Sequence, residues 1–277
     1  MYSVAAATGL TGFIGKHFLI KLLDEYDFVI SYERNCNYTV HQKDGLAKHF
    51  NAQFDLNEKF KPAVLYNLAT YYNSKPQSMA DVLSITESNI VFPLKVLSVL
   101  NDPNLRIINF CSYLQLLNKD IASPYMLSKQ YLKVSLNPIA GEVSNVFLFD
   151  TFGSNDSRNK VVDVFIRKIL NGEPIIIPSN DVRINLSDVS NICASLSPLE
   201  RIPVGDSCIH SPVTLTLFDL AKILFDMIGS EVEVCYGSES ECYYSSCENL
   251  PENIFKAENG RTFFDNLARR IDEIRKT

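Results

Sequence analysis

The stretch ATGLTGFIGKHF, residues 7–18, holds three glycines at even three-residue spacing, Gly9, Gly12 and Gly15. It follows an apolar run, YSVAAA, and opens an amphipathic stretch, FIGKHFLIKLLDEY, so the glycines lie in a predicted strand-to-helix turn. Glycine costs about 0.5–1 kcal/mol against alanine inside regular structure, and three together indicate that side chains would obstruct something. We expect Gly9 to permit the tight turn, Gly12 to let a pyrophosphate approach the backbone, and Gly15 to let the helix pack on the strand.

The start of the predicted helix completes an anion site at this turn. The backbone amides of Phe13 and Ile14, at the first turn of the helix, and the helix dipole would face a bound phosphate. We assign Thr11 to the same cofactor-binding loop. A tight turn with incidental glycines is the alternative, but the strand before it, the helix after it and its place near the N-terminus favour a dinucleotide.

The second predicted strand, DFVISY, ends next to two opposed charges. Glu33 could accept hydrogen bonds from a free ribose 2′-hydroxyl, which favours NAD, whereas Arg34 could pair with a 2′-phosphate, which favours NADP. Solvated charges at a strand end are the alternative for both. Asp55 and Leu56, which follow a third predicted strand, could hold the edge and face of the adenine or simply form a surface turn.

Short apolar runs alternate with amphipathic stretches through the first two thirds of the chain. The predicted strands are YSVAAA, DFVISY, AVLYNL, LRIINFC and NVFLF. This alternation predicts an α/β fold, a Rossmann-type doubly wound parallel sheet over residues 1–150, with a kink or break at Pro93 in one long helical segment. Over residues 151–277 we predict a smaller, interleaved substrate-binding lobe, some of whose strands and helices return to the first domain. A ligand cleft would then lie between the two.

Composition argues against several classes of protein. With 277 residues and 46% hydrophobic side chains, the chain can bury one large domain or two unequal lobes. A net charge of −6 argues against a nucleic-acid surface, no uninterrupted apolar run approaches the ~20 residues of a membrane span, and no signal peptide is evident. The seven cysteines are scattered and form no Cys-x-x-Cys pair, so we expect no metal site and free thiols in a reducing cytoplasm.

Two stretches match Tyr-x-x-x-Lys, a spacing that puts a phenol and an ammonium on one face of a helix. Chance alone produces about one match in a chain of this composition, so the helical context has to decide. The first match, Tyr71–Lys75, is followed by Pro76, which biases the residue before it away from the α region. The second, Tyr125–Lys129, follows Ser123 and Pro124, which are a favoured N-cap and a favoured first helical residue. We therefore select the second pair.

Two more polar residues would serve this pair. The strand LRIINFCS delivers Ser112 at its carboxyl end, where its hydroxyl can hold a reacting oxygen, although an ordinary strand-end serine is the alternative. Asn89 is either a buried polar residue or a group that orients Lys129 through water. A positive charge at Lys129 lowers the pKa of the Tyr125 phenol below its usual value of about 10, so that the phenol exchanges a proton near neutral pH.

Together these motifs resemble the extended short-chain dehydrogenase/reductase family, in its branch that modifies nucleotide sugars. The resemblance covers nearly the whole chain. It is carried by the glycine loop Thr8–Gly15, the strand end Tyr66–Thr70, the segment Glu87–Ile90, Ser112, the helix start Ser123–Lys129, and the strand Phe147–Gly153 with Asp150 in place of the usual Asn.

The resemblance implies a role for each matching residue. Tyr125 would exchange the proton of a sugar hydroxyl or ketone, Lys129 would bind the nicotinamide ribose and lower the phenol pKa, and Ser112 would hydrogen-bond the reacting oxygen. The expected cofactor-binding residues are Gly9, Thr11, Gly12, Phe13, Ile14, Gly15, Glu33, Arg34, Asp55, Leu56, Leu68, Ala69, Thr70, Tyr125 and Lys129. The expected substrate-binding residues are Thr70, Ser112, Tyr125, Asp150 and Arg183, the last of which departs from the family in its spacing to Asp188.

Departures from the family narrow the reaction. Tyr113 and Leu114 follow Ser112 where the related 4,6-dehydratases carry Asp-Glu for the elimination of water. The related 3,5-epimerase/reductases need a Cys and a His in the site, and His210 has no evident Cys partner. The reactions that remain are reduction of a 4-keto sugar and 4-epimerisation through a bound ketone. The chain looks most like the CDP-4-keto-6-deoxyglucose reductases, the abequose and paratose synthases.

We therefore predict a cytoplasmic 4-ketoreductase that acts on a nucleotide-linked 4-keto-6-deoxyhexose in a surface-polysaccharide pathway such as that of O-antigen. Such biosynthetic reductions generally draw on NADPH, which favours NADP over NAD. The substrate would be CDP- or dTDP-linked, and the resemblance implies a homodimer. The alternatives are a nucleotide-sugar 4-epimerase with tightly bound NAD and a dinucleotide-sensing protein that does not turn over.

Overall fold

A computed structural model describes residues 2–50, 60–73, 76–116, 123–139, 141–179, 182–196, 198–238, 250–256 and 260–276. The described strands are β1 (Val4–Thr8), β2 (Phe28–Tyr32), β3 (Tyr38–Gln42), β4 (Ala47–Phe50), β5 (Val64–Asn67), β6 (Arg106–Ser112), β7 (Glu142–Leu148), β8 (Asp150–Phe152), β9 (Ile175–Pro178), β10 (Arg183–Asp188), β11 (Gly205–His210), β12 (Thr214–Thr216), β13 (Val234–Gly237) and β14 (Asn253–Lys256). The described α-helices are α1 (Phe13–Glu25), α2 (Met79–Thr86), α3 (Phe92–Leu100), α4 (Pro124–Leu136), α5 (Val161–Asn171), α6 (Val189–Ser195), α7 (Leu217–Ile228) and α8 (Gly260–Arg275).

A nine-stranded sheet in the order β14-β11-β7-β6-β5-β1-β2-β3-β4 forms the centre of the fold. Its members β7, β6, β5, β1 and β2 pair in parallel. From β1 the chain continues on one side to β2, and β5 pairs on the other side, so the strand order reverses between β1 and β5. Ligands of such sheets bind at the carboxyl ends of the strands near this reversal. The expected Rossmann-type α/β fold is confirmed.

The edge of the sheet beyond β2 differs from the expectation. β3 pairs antiparallel with β2, and β4 pairs antiparallel with β3. Residues 33–50 contain no helix, so the helical crossover that the alternation predicted after β2 is wrong for this segment. The physical reason is the shortness of the two connections. Cys36 and Gly45 adopt positive φ angles of 62° and 85° in them, and such tight turns can join only antiparallel strands.

One long helix covers part of the parallel sheet and changes its winding in the middle. α2 and α3 are joined without a break by a π-helical turn at Glu87–Val91. Pro93 explains this turn, because proline lacks an N–H and its ring crowds the carbonyl four residues earlier, which belongs to Asn89. The interruption expected at Pro93 is therefore a widened turn and not a break.

The same helix, Met79–Leu100, is long and apolar enough to cross a membrane when judged by length and composition alone, with a mean hydropathy of 1.4. Core helices of globular proteins also pass this test. Here Phe92 and Val96 are buried in one hydrophobic cluster with Ala6 of β1 and Leu65 of β5. Those contacts account for the apolar face that packs on the sheet.

The chain divides into two compact units. The first comprises Met1–Leu148, Leu196–Cys208 and Pro251–Asn253, and the second comprises Phe149–Ser195, Ile209–Leu250 and Ile254–Thr277. The second unit contains a three-stranded sheet in the order β12-β10-β8 and a parallel pair, β13-β9. Within it, α5, α7 and α8 contribute to one hydrophobic cluster, and the buried Arg270 of α8 donates to both carboxylate oxygens of Asp163 on α5.

Candidate active site

The turn after β1 needs two of its three glycines for packing. Gly9 has a φ of +74°, and a Cβ there would lie 2.7 Å from the backbone N of Ala69. A Cβ on Gly15 would lie 2.2 Å from the carbonyl oxygen of Gly9 and 2.5 Å from Cα of Leu10. Real Cβ atoms do not approach backbone so closely, and the neighbours here cannot move aside as a side chain can. Gly9 therefore lets β1 approach the loop after β5, and Gly15 lets α1 approach the turn.

Gly12 is a different case, because the protein itself does not require a glycine there. Its φ is −75°, and a Cβ would meet only the carbonyl oxygen of Gly9, at 3.2 Å. Gly12 is the N-cap of α1 and its helix has no side-chain cap and no acidic residue in the first turn. An uncapped helix N-terminus without a side chain at its N-cap suits a pyrophosphate, which the dipole and the first amides would bind. The residues present thus fit the dinucleotide.

At the end of β2, the charges expected to contact the adenosine ribose are both exposed. Oε1 of Glu33 lies 3.4 Å from Nδ1 of His49 on β4, and the same ring nitrogen lies 3.1 Å from the hydroxyl of Thr39. His49 reaches Glu33 only because β3 and β4 fold back beside β2. Arg34 occupies the turn that follows Glu33. Asp55 and Leu56 lie outside the described residues.

Ser112, Tyr125 and Lys129 come together at the carboxyl end of β6. Ser112 is the last residue of β6, and its hydroxyl, which accepts from the amide of Leu114 at 3.3 Å, lies near enough to the Tyr125 phenol to affect its pKa. Ser123 caps α4 by accepting a hydrogen bond from the amide of Met126, at 3.2 Å, which places Tyr125 in the first turn. Lys129 lies one turn further on, and its Nζ donates to the carbonyl of Phe110, at 2.9 Å. Tyr125 and Lys129 are 5% and 4% exposed, so both are held away from solvent.

Burial sets the pKa of both groups. It raises the pKa of the Tyr125 phenol, a hydrogen bond with Ser112 partly opposes this, and nearby Tyr72 and Cys111 add to the rise. Burial also lowers the pKa of the Lys129 ammonium to about 8, against a smaller upward effect of Cys111. The expectation that Lys129 lowers the phenol pKa is therefore wrong for this structure. The physical reason is that desolvation of the phenolate dominates and Lys129 binds a backbone carbonyl.

Only the tyrosine of the other Tyr-x-x-x-Lys match lies among the described residues. Tyr71 lies in a non-helical segment after β5, and Lys75 is outside the described residues. The backbone amide of Tyr71 donates to Oδ1 of Asn89, at 2.7 Å. Tyr71 thus serves to join the loop to the helix Met79–Leu100.

Asn89 is fully buried in the π-helical turn and uses its side-chain amide to join three segments. Besides accepting from the amide of Tyr71, its Nδ2 donates to the carbonyl of Tyr71, at 3.2 Å, and to Oγ of Ser128, at 3.0 Å. Ser128 in turn donates to the carbonyl of Tyr125, at 2.7 Å. Asn89 is thus a buried polar residue that supports the helix of Tyr125 through Ser128. Orientation of Lys129 by Asn89 through water stays a prediction.

The remaining predicted residues are divided between the two units. Leu68, Ala69 and Thr70 follow β5 in the first unit, where the amide of Ala69 donates to Oγ1 of Thr8, at 3.1 Å, and Thr70 is exposed. Asp150 begins β8 and is partly buried, and the exposed Arg183 begins β10 opposite Thr216, both in the second unit.

A family model described as the NAD dependent epimerase/dehydratase family matches residues 6–188. The chain belongs to this family. The matched residues run from β1 to the end of β10, so they include the glycine turn, Ser112 and the Tyr125–Lys129 pair.

Individual relatives agree with membership of the epimerase/dehydratase family. The CDP-abequose synthase of Yersinia pseudotuberculosis is 25% identical over an alignment of 201 residues that covers 68% of this chain and 70% of the relative. A UDP-N-acetylglucosamine 4-epimerase from Methanobrevibacter ruminantium M1 is 20% identical in sequence, covers 99% of both chains and superimposes with a TM-score of 0.73. The Bordetella bronchiseptica enzyme WbmF, solved with NADH, is 18% identical, covers 99% of this chain and 92% of its own, and has a TM-score of 0.72. The resemblance to extended short-chain dehydrogenase/reductases is confirmed.

Sequence reasoning missed three residues that contact the predicted catalytic residues of this family member. The Tyr72 ring packs edge-to-face on the Tyr125 ring, with centroids 4.9 Å apart. Oε1 of Gln115 accepts a hydrogen bond from the backbone amide of Ser112, at 2.9 Å, and Ser128 binds Asn89 as described. Tyr72 lies in an irregular segment and Gln115 in a short helical turn, and the hydrophobic periodicity of the sequence does not predict where such segments lie in the fold. Ser128 lies within the Tyr-x-x-x-Lys segment, but the sequence alone does not indicate that its hydroxyl binds Asn89.

Proposed function

We propose that the chain is an NADPH-dependent reductase of the C4 ketone of a nucleotide-linked 4-keto-6-deoxyhexose, acting in the cytoplasm in the synthesis of a surface polysaccharide. The observation that carries the proposal is that Ser112 and Tyr125 are both buried at the carboxyl end of β6, while the two residues directly after Ser112 are not acidic. Tyr113 and Leu114 stand in the short turn after Ser112, where an eliminating enzyme would need an acid. The likeness to a CDP-abequose synthase supports a CDP-linked substrate, with a dTDP-linked one as the second choice.

The residues divide the proton chemistry of such a reduction between them. A nicotinamide dinucleotide supplies the hydride when bound. Burial keeps Tyr125 protonated, which is the form able to donate a proton to the oxygen at C4 as charge develops there. Ser112 would hold that oxygen by a second hydrogen bond, and Lys129, already fixed to the carbonyl of Phe110, would contact the nicotinamide ribose. Thr70, Asp150 and Arg183 are proposed as sugar-nucleotide contacts.

The preference for NADPH over NADH is supported by the end of β2. The Glu33 carboxylate lies beside the His49 ring, which competes with a ribose 2′-hydroxyl for the same oxygen. The exposed guanidinium of Arg34, in the next position, can bind a 2′-phosphate by two parallel hydrogen bonds. We therefore propose that the phosphorylated dinucleotide is the better substrate.

Incubating the purified chain with NADPH and a CDP-linked 4-keto-6-deoxyhexose tests the proposal. We expect NADPH to be oxidised in a one-to-one ratio to a 4-hydroxy sugar nucleotide, with kcat/KM for NADPH at least about tenfold above that for NADH, because a bidentate Arg–phosphate contact is strong. Absorbance at the nicotinamide band and mass spectrometry of the product measure both. Interconversion of two 4-hydroxy sugars without added cofactor would instead identify a 4-epimerase with bound NAD. Dinucleotide binding without turnover of either kind would favour the sensing protein.

We further propose that the chain is a homodimer formed through the helix Met79–Leu100 and α4. On α4, large apolar residues are exposed at positions i, i+4 and i+7, namely Leu127, Tyr131 and Val134. Met79 and Leu83 of α2 and Val99 of α3 are likewise 51–72% exposed. A second copy of the chain would cover both surfaces about a twofold axis.

Replacing Tyr131 with glutamate is expected to convert this dimer into a monomer, because each copy would bury a charge in an apolar interface. Light scattering coupled to size exclusion at micromolar concentration measures the mass. Ile20→Glu is the matched control, since Ile20 is 65% exposed on α1, away from both helices, and should leave the dimer intact. A wild-type chain that is already monomeric at that concentration would overturn the proposed assembly.

A further inference from the structure

Five side chains in successive strands of the large sheet form one continuous hydrogen-bonded series, which we call the polar ladder. Its members are Thr8 of β1, Asn67 of β5, Asn109 of β6, Asn145 of β7 and Asp206 of β11. Thr8 Oγ1 donates to Asn67 Oδ1 at 2.8 Å. The next three contacts are each 3.0 Å long and run from Asn67 Nδ2 to Asn109 Oδ1, from Asn109 Nδ2 to Asn145 Oδ1, and from Asn145 Nδ2 to Asp206 Oδ1. The first four members are also direct register partners in the parallel sheet.

Every hydrogen bond of the polar ladder points in the same direction. The backbone amide of Ala69, which can only donate, gives its proton to Oγ1 of Thr8, and the Asp206 carboxylate, which can only accept, ends the series. The two ends therefore fix the orientation of the three asparagine amides between them. Hydrogen bonds aligned in this way strengthen one another, and a charge at the accepting end adds to the effect.

The polar ladder is buried where a parallel sheet ordinarily carries apolar side chains. Thr8, Asn67, Asn109 and Asn145 are between 0 and 3% exposed. Burying an amide is unfavourable unless its hydrogen-bonding groups are satisfied, so a ladder broken at one point leaves polar atoms without partners on both sides. Such a network is sensitive to the alignment of its strands, because each strand must keep its register for the next contact to form.

The ends of the polar ladder lie at the two parts of the candidate active site. Thr8 directly precedes Gly9 of the dinucleotide turn. At the other end, Asp206 also accepts a hydrogen bond from Nζ of Lys133, which lies one turn after Lys129 on α4. In the middle, Asn109 lies three residues before Ser112 on the same strand. The geometry points to a positioning role: we propose that the polar ladder sets the helix of Tyr125 and Lys129 relative to the turn that holds the dinucleotide.

Coupling between the distant ends tests the polar ladder without any substrate. Thr8 and Asp206 stand four strands apart, about 19 Å at roughly 4.8 Å per strand, where substitutions ordinarily have additive effects. We expect Thr8→Val and Asp206→Leu, each of which removes the ladder's hydrogen-bonding atoms at one end, to lower the melting temperature by about 3 °C or more. The double variant should lose at least about 2 °C less than the sum of the two, because a ladder cut at one end has less to lose at the other.

The matched control pairs Thr8→Val with Glu142→Leu. Glu142 is an acidic residue of β7 whose Oε2 lies 3.7 Å from Nε of Arg106, and it is not a member of the polar ladder. The losses in melting temperature of this control pair should therefore be additive. Additive losses for Thr8→Val and Asp206→Leu would overturn the proposal. This outcome does not depend on which sugar the enzyme uses, so the ladder and the proposed function can fail separately.

The effect on catalysis, which rests on the proposed reduction, is tested by Asn109→Leu. This variant cuts the ladder between the dinucleotide turn and α4, so we expect kcat to fall at least about tenfold while KM for NADPH stays within about twofold. Ile107→Val, a conservative core change on the same strand, is the control for lost stability alone and should keep kcat. If Asn109→Leu yields no soluble protein, Asp206→Leu makes the same measurement from the partly exposed end. An equal rise of KM and fall of kcat, or no change in either, would contradict a positioning role.

Discussion

A Tyr125→Phe variant is expected to lose reductase activity by about 10³-fold or more while binding the dinucleotide as the wild type does. Proton transfer by a positioned side chain typically contributes 10²–10⁴-fold, and phenylalanine keeps the ring and its packing while removing the proton. The hydroxyl is the only part of Tyr125 changed, so the edge-to-face packing of its ring on Tyr72 is kept. Initial rates at saturating NADPH and keto sugar give kcat, and quenching or enhancement of dinucleotide fluorescence gives its Kd.

Tyr131→Phe is the natural comparison for that variant. Tyr131 lies on the same helix and is 57% exposed, so loss of its hydroxyl should leave kcat within about twofold. Full activity in Tyr125→Phe would show that another group protonates the product oxygen. Loss of dinucleotide binding together with activity would show that the substitution disturbed the site rather than the proton transfer.

Gly15→Ala is expected to destabilise the fold by about 3 kcal/mol, at the upper end of what overpacking usually costs. The new Cβ would lie 2.2 Å from the carbonyl oxygen of Gly9, so α1 would have to move away from the turn. For a chain of this size, that cost corresponds to a melting temperature lower by roughly 6–12 °C. Calorimetry or circular dichroism during heating measures the shift.

Gly12→Ala separates packing from ligand binding within the same turn. Its Cβ would have only the carbonyl oxygen of Gly9 as a close neighbour, at 3.2 Å, so the melting temperature should change by less than about 3 °C. The added methyl group should nevertheless weaken dinucleotide binding at least about tenfold, because it occupies the place of the pyrophosphate. Unchanged affinity in Gly12→Ala would exclude a pyrophosphate at this backbone position, and an unchanged melting temperature in Gly15→Ala would contradict the packing argument.

The parts of the fold that could be predicted from the sequence are those in which local pattern and tertiary role agree. β1 and α1 flank a glycine turn whose spacing is unusual, and Ser123 with Pro124 marks the beginning of α4 through its own capping chemistry. The buried strands β5, β6 and β7 are short apolar runs that read as strands in isolation. For these elements the residues themselves carry enough information to place the predicted catalytic pair on a helix.

The antiparallel strands after β2 could not be predicted in the same way. β3 and β4 are short and half-exposed, and their alternation is mixed with charged and polar residues such as His41 and Lys48. Their pairing depends on two tight turns, one of which uses Cys36 at a positive φ, where asparagine or glycine would have been the recognisable signal. The contact of His49 with Glu33 depends on that pairing, so it could not be predicted from the sequence either.

Burial and long-range pairing explain the remaining differences at the site. Whether the pKa of Tyr125 rises or falls depends on how much water the fold removes from around the phenol. The spacing of residues along a helix does not determine that burial. The polar ladder requires five neighbouring strands to be aligned, and three of them, β5, β6 and β7, contribute one asparagine each. A single asparagine in a strand gives no indication of its neighbours.

The π-helical turn at Glu87–Val91 has a consequence for how this helix tolerates insertions and deletions. An α-helix rotates by about 100° per residue. The extra residue held in the wide turn therefore rotates the side chains of α2 about the helix axis relative to those of α3. Deleting one residue between Glu87 and Val91 would barely change the helix length. It would swing the Ile85 side chain out of the core by more than a quarter of a revolution. Length variation in homologous chains should therefore avoid this turn and occur in the surface loops instead.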